Sequence, residues 1–268
     1  RRLNGQRFFA CSGDAIGRTM RLIITMAAES DSSKIIIPGD TALPTETTAE
    51  TIFDALLRHF SDGQAQAGDL DPKLVKKLRE ELDRGGFFSQ DMHSLWLMLE
   101  QAMTKTDRHP GKSGRVNLLN LACGYCEEGA VLSAFFGRHG MQVKQFAMDL
   151  RDHEIDRARR RYSATETLFR SAGIPGIKTE DETNEVEFVA DDATHLAGYG
   201  QIPVEFDVVF IRHQNLWHDK AVWQRIYEFA LGRIEPNQGC LVITSYFDRE
   251  HVLALELLRN LGGQNTLQ

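Results

Sequence analysis

The sequence predicts an α/β fold: a doubly wound, Rossmann-like parallel sheet with helices on both faces, preceded by a mainly helical N-terminal region. Three features point to it. An apolar run over 116–122 ends in the small-residue turn Cys123-Gly124. A helical pattern then starts at Glu127, with Val131, Leu132, Phe135 and Phe136 on one face. Strand, tight glycine turn and helix together form the floor of a nucleotide site in such sheets. A second apolar run, over 143–148, closes in Asp149. An acidic residue there accepts both hydroxyl protons of a ribose diol. Three further apolar runs follow in order, over 186–190, 206–211 and 239–244.

Ahead of that sheet the pattern is helical. Leu22, Ile23, Ile24 and Met26 form one apolar cluster, and Ile35, Ile36, Ile37 and Pro38 another. Phe53, Leu56, Leu57 and Phe60 stand at helical spacing within 45–60. Asp71-Pro72 is a cap followed by a first-turn proline. The helix it opens runs through Leu74, Val75, Leu78 and Leu82 until Gly85-Gly86 stops it. Residues 89–103 read as another helix, through Leu95, Met98 and Leu99. The polar loop 104–114, with Pro110 and Gly111, divides a region 1–110 from a domain 111–268. After the fifth apolar run, 247–261 reads as a last helix.

Composition sets bounds on function. With 42% hydrophobic and 26% charged residues the chain is of ordinary globular make-up, and no apolar run approaches the roughly 20 residues of a membrane span. A net charge of −7 argues against a nucleic-acid partner, which calls for a basic surface. Arg157, Arg159, Arg160 and Arg161 read as a solvated helix face. A chain opening Arg1-Arg2 rather than Met reads as trimmed or partial. Four cysteines make no disulfide scaffold at this length, so a cytoplasmic setting is expected. Cys123 and Cys126 nonetheless form a Cys-x-x-Cys at a helix start, where a thiol pKa is lowered. A thioredoxin-like oxidoreductase, with Pro175 opposite the thiols, is therefore a lesser alternative.

The order of motifs over 116–245 resembles the class I S-adenosylmethionine-dependent methyltransferases. In that family the first strand and turn read hydrophobic-Asp-x-Gly-x-Gly-x-Gly. Here Asn120 stands at the acid, and Ala122, Gly124 and Cys126 stand at the glycines. Asp192-Ala193 matches the pair whose carboxylate takes the adenine amino group. A closer local likeness is to the chemotaxis-receptor glutamate methyltransferases: Ala122-Cys-Gly-Tyr-Cys-Glu-Glu128 aligns with their first turn without a gap. The stretch from Phe210 through Arg212 and His213 to Trp217 and Asp219 follows the end of their fourth strand. Their N-terminal receptor-binding domain and small strand insertion have no match here.

The resemblance implies S-adenosyl-L-methionine as cofactor. It would be held by Ala122, Cys123 and Gly124 at the turn, by Glu128, by Asp149 with Leu150, by Asp192 and Ala193, and by Arg212 and His213. Either Glu127 or Glu128 would pair with the methionyl ammonium, unless both are ordinary first-turn acids. His213 also fits a general base, since imidazole titrates near neutrality, and Trp217 fits a stacking surface for the acceptor. Asp207 reads as structural. The acceptor would be a small molecule or a protein, methylated on a carboxyl, hydroxyl or amine. N-terminal helices would cover the cofactor and shape the acceptor pocket. Ala122 and Cys126 in place of glycines leave open a catalytically silent binding or interaction module. The family closes its sheet with two more strands as an antiparallel hairpin. At the C-terminal end that hairpin is incomplete, and an uncovered edge invites a homodimer.

Overall fold

The computed structural model describes residues 7–13, 20–26, 45–106, 111, 114–138, 140–174, 176–177, 186–193, 202–212, 214–236 and 239–262. The strands are β1 (Arg7–Gly13), β2 (Met20–Met26), β3 (Arg115–Leu121), β4 (Gln142–Asp149), β5 (Val186–Ala190), β6 (Val208–Arg212) and β7 (Cys240–Ser245). They form one sheet in the order β1-β2-β7-β6-β3-β4-β5. The five strands from β3 to β7 are parallel, with Leu119 opposite Phe146 and Val209, and Phe210 opposite Val242. Strand order reverses between β3 and β6, which places a topological switch point at their carboxyl ends.

The two N-terminal strands correct the sequence reading. Leu22–Met26 lies in a strand, antiparallel to β7 from Arg21↔Ser245 to Met26↔Cys240, and β1 pairs antiparallel with β2. The hairpin expected after the fifth parallel strand is thus supplied by the other end of the chain. The N-terminal region is helical only from Thr45 on, among the described residues. β2 thus fills the edge of β7 that was expected to stand uncovered, and β1 becomes the edge strand on that side. The cluster at Ile35–Pro38 lies outside the described residues.

Helices α1 (Thr45–Phe60), α2 (Pro72–Arg84) and α3 (Gln90–Thr106) lead into the sheet, and α4 (Gly129–Gly137), α5 (Asp152–Ser171), α6 (Lys220–Leu231) and α7 (Asp248–Gly262) alternate with its strands. Asp71 caps α2 by accepting the Lys73 N–H at 2.9 Å, and Gly86 at φ 80° turns the chain after it. The period of two along each strand divides the core. Leu118, Val208, Phe210 and Val242 pack on one face with Phe53, Trp96 and Phe135, from α1, α3 and α4. Leu119, Val209, Ile211 and Ile243 pack on the other with Tyr227, Leu231 and Leu257, from α6 and α7. Asp207 ties the entry of β6 to β3: its carboxylate accepts the Asn117 N–H at 2.8 Å. Three arginines of α5 find partners within the chain. Arg157 reaches Glu154 (3.3 Å), Arg159 the Phe188 carbonyl (2.8 Å) and Arg161 the Gly85 carbonyl (2.6 Å).

Candidate functional site

The turn after β3 keeps the backbone of a glycine-rich loop with one glycine. Ala122, Gly124 and Cys126 have φ of 53°, 56° and 51°, the left-handed region that glycine occupies at no steric cost. These are the positions at which the sequence pattern calls for glycine. The zigzag delays α4 to Gly129, two residues after the expected start at Glu127. Cys126 Sγ takes the room that a larger residue at 129 would need, since a Cβ on Gly129 would lie 2.6 Å from it.

Behind the turn runs a buried polar chain. Cys126 Sγ accepts from Asn120 Nδ2 (3.4 Å) and Gln145 Nε2 (3.6 Å), and Gln145 Oε1 accepts from Ser133 Oγ (2.7 Å). Asn120 Nδ2 also donates to Glu128 Oε1 at 2.7 Å, and Glu128 Oε2 accepts from Arg212 Nη1 at 3.1 Å. The Glu128 and Arg212 side chains are 3% and 2% exposed, so each neutralises the other in the interior. Burial opposes the Arg212 charge, but Glu128 and Tyr246 outweigh it and raise its pKa. An amide at 120 suits this setting better than an acid, which would face Glu128 directly.

Arg212 continues outward. Its Nη2 donates to Tyr246 Oη at 2.5 Å, and that hydroxyl donates to Asp91 Oδ2 at 2.6 Å. Asp91 comes from the first turn of α3, 121 residues away from Arg212 in sequence. Burial, with the Asp91 hydrogen bond, pushes the Tyr246 hydroxyl up, so it stays protonated as a donor.

A cavity of about 500 Å³ opens at the carboxyl ends of β3, β4 and β7. Its floor is Ala122, Cys123 and Gly124. Tyr125, Glu127 and Glu128 form one wall, Arg151 and Glu154 a second, and Asp91, Tyr246 and Phe247 a third. Asp149 lies beneath it, 5% exposed. Its Oδ2 accepts the Gly124 N–H at 2.8 Å, and its Oδ1 accepts the Arg151 N–H (3.0 Å) and Nε–H (2.9 Å). Burial alone would raise the Asp149 carboxyl; the hydrogen bonds from Arg151 and Gly124 prevail and hold it below its ordinary value.

The structure brings Ala122, Cys123, Gly124 and Glu128 to the cavity, with Asp149 under it and Arg212 behind Glu128. Leu150 is 71% exposed and is not part of the lining. Asp192 and Ala193 follow β5, where Asp191 Oδ1 accepts the Asp192 N–H at 2.7 Å, and Ala193 is buried in the core; neither lines this cavity. His213 lies outside the described residues, as does Pro175. Trp217 is 39% exposed and meets Phe247 edge-on at 5.5 Å between ring centroids, so it reaches the cavity through Phe247. Of the two neighbouring acids, Glu128 is committed to Arg212 and Asn120. Glu127 lines the cavity and accepts the Tyr125 hydroxyl at 3.1 Å.

Arg151, Tyr246 and Phe247 escaped the sequence reading although they follow the carboxyl ends of β4 and β7, where ligands of open α/β sheets lie. Asp91 carries no such signal. Cys123 and Cys126 are free thiols, 9% and 6% exposed. A hydrogen bond with Cys126 and burial push the Cys123 thiol well up, opposite to the activated thiolate of a redox site. No cluster of metal-ligating side chains and no helix long and apolar enough to cross a membrane occurs among the described residues.

No protein-family model matches the chain, and no curated protein matches it. Solved structures do. Precorrin-6y C5,15-methyltransferase from Geobacter metallireducens is 16% identical over 56% of this chain and 64% of its own, with a TM-score of 0.39. A SAM-dependent methyltransferase from Thiobacillus denitrificans, in complex with S-adenosyl-L-homocysteine, is 18% identical over 54% of this chain and 46% of its own, with a TM-score of 0.33. Magnesium protoporphyrin IX methyltransferase from Synechocystis, with bound SAM, is 15% identical over 74% and 75%, with a TM-score of 0.33. The chain spans less than two thirds of the length of the first two. All three are methyltransferases by name, and two of them hold S-adenosylmethionine or S-adenosylhomocysteine.

Proposed function

We propose that the cavity binds S-adenosyl-L-methionine and that the chain transfers its methyl group to a small-molecule or protein acceptor bearing a carboxyl, hydroxyl or amine. The observation that carries this reading is the left-handed backbone at Ala122, Gly124 and Cys126 over the buried carboxylate of Asp149. Two residues with side chains, Ala122 and Cys126, hold the conformation that suits glycine, at about 1 kcal/mol or more each. A turn without a ligand would have no reason to hold that strain, which speaks against a purely interacting module.

The residues suit the group. A cavity of about 500 Å³ is of the size that encloses a nucleoside-sized ligand. Asp149, beneath the turn and behind Arg151, is the carboxylate suited to accept from a ribose diol, and Glu127 is the one on the wall for an ammonium. Asn120 Oδ1, buried without a partner among the described residues, is an acceptor left over behind the turn. The cofactor supplies an already activated methyl on a sulfonium. The protein's task is to hold two reactants in line and keep water out. Tyr246 and Phe247 follow β7, two strand spacings or about 10 Å along the sheet from β3, and Asp91 of α3 joins them through the Tyr246 hydroxyl. That separation leaves them for the acceptor, with Trp217 extending the aromatic surface beside Phe247.

Calorimetric titration of S-adenosylmethionine and S-adenosylhomocysteine tests the reading. Micromolar affinity is expected, of order −8 kcal/mol. Asp149→Asn should weaken it by about tenfold or more, the worth of hydrogen bonds to a charged acceptor. No binding by the folded protein overturns the reading.

A further inference from the structure

Arg151 is the one cavity-lining side chain, among the described residues, that sits on the two features the cofactor would use. Its Nε–H and backbone N–H go to Asp149 Oδ1 at 2.9 and 3.0 Å, and its Nη2 goes to Oδ2 at 3.3 Å. With the Gly124 N–H, these donors engage both carboxylate oxygens. The same Nη2 lies 3.5 Å from where a Cβ on Gly124 would stand, so the guanidinium also covers the open face of the turn. A fork of two donors on a carboxylate has the geometry that a vicinal diol presents. Yet the Arg151 side chain is 55% exposed, and a second carboxylate is within reach: Glu154 Oε1 lies 3.9 Å from Nη1, one turn along α5 and on the same cavity wall. Glu154 is itself 13% exposed and also holds Arg157 at 3.3 Å.

We propose that Arg151 is an internal latch on this site, its guanidinium standing in for the ribose diol on Asp149 and swinging to Glu154 when ligand enters. The inference rests on the cofactor reading above. Binding then competes with an intramolecular partner, and the observed affinity is reduced by the fraction of molecules in which the latch is closed. Glu154 sets that fraction by offering the open position a partner.

The test is titration of S-adenosylhomocysteine into the wild-type chain, Arg151→Ala, Arg151→Gln, Glu154→Gln and the double variant Arg151→Ala/Glu154→Gln, each first shown to unfold cooperatively. Arg151→Ala and Arg151→Gln should both tighten binding, about five- to tenfold. Glu154→Gln should weaken it by a few fold in the wild-type background and leave it unchanged once Arg151 is gone, because its effect runs through the arginine. Weaker binding in both Arg151 variants would make the arginine a ligand contact and overturn the latch. So would binding indifferent to Arg151. Absence of binding in all five proteins would remove the cofactor reading itself, and is distinguishable because latch failure leaves binding intact.

Discussion

Cys126, at a left-handed φ, and Gly129 are two halves of one packing solution, and a double-mutant cycle measures the link. A methyl on residue 129 would stand 2.6 Å from Cys126 Sγ and 3.1 Å from Gln145 Nε2, both in the interior. Gly129→Ala alone should therefore cost about 2 kcal/mol, in the middle of the overpacking range. Cys126→Gly releases left-handed strain of about 1 kcal/mol. It also gives up a buried thiol worth about 1 to 1.5 kcal/mol and adds unfolded-state freedom worth about 0.5 to 1 kcal/mol. The net is a loss of about 1 kcal/mol. In Cys126→Gly/Gly129→Ala the new methyl enters the space that Sγ leaves, so the 2.6 Å clash disappears and only the 3.1 Å approach to the flexible Gln145 side chain is left. The double variant should be no less stable than Cys126→Gly, a favourable coupling of about 2 kcal/mol. Urea denaturation of the four proteins, with equal m-values, reads the cycle. Additive effects, with coupling under about 0.5 kcal/mol, would refute the packing account.

Other expectations follow from the buried charges and the sheet edge. Asn120→Asp places a second carboxylate 2.7 Å from Glu128 Oε1 and should destabilise the fold by about 3 kcal/mol at neutral pH, less in acid where the pair shares a proton. Burial lifts Glu250 to about 7 against the pull of the Tyr246 and Phe247 N–H groups. A folded-state value above the ordinary one contributes stability that is complete below about pH 4.5 and lost as pH rises through about 7. Denaturation from pH 4.5 to 8 should show that decline, up to roughly 3 kcal/mol, in the wild type and not in Glu250→Gln. A chain lacking residues 1–26 loses the β2 pairing and bares the apolar β7 edge, so size-exclusion chromatography should show it associating more than the 268-residue chain.

The sheet was largely readable because its information is local. The runs at 116–122, 143–148 and 186–190 became β3, β4 and β5 to within a residue or so, and 45–60 became α1 unchanged. The run at 206–211 shortened to β6 because Phe206 pairs with Ile234 in an isolated bridge and Asp207 turns to Asn117. The apolar cluster around Leu22 was visible, but its pairing partner was not. Strand β2 meets Cys240 and its neighbours across more than 200 residues, and no local period encodes that register.

The site divides in the same way. Asp149 and the turn follow from strand-end rules, whereas the Asp91–Tyr246–Arg212 chain exists only once α3 has docked on the sheet. Glu128 looked equivalent to Glu127 in sequence. Both line the cavity, but Asn120 and Arg212, one at strand position 120 and the other closing β6, hold Glu128 and leave Glu127 for a ligand. Arg151 stood two residues from the acid it covers, and nothing in its spacing distinguished a partner of Asp149 from a solvated helix cap.

The most direct test of the central claim is where the ligand sits. Backbone amide resonances followed by two-dimensional NMR during titration with S-adenosylhomocysteine should move first and most at residues 122–126. The Gly124 amide, which now donates to Asp149, should lead, and the amides of β1 and β2 should stay still. Saturating shifts confined to residues 122–128 and 149–154 are the predicted result. Binding that leaves the Gly124 amide unmoved, or shifts centred elsewhere on the sheet, would contradict it.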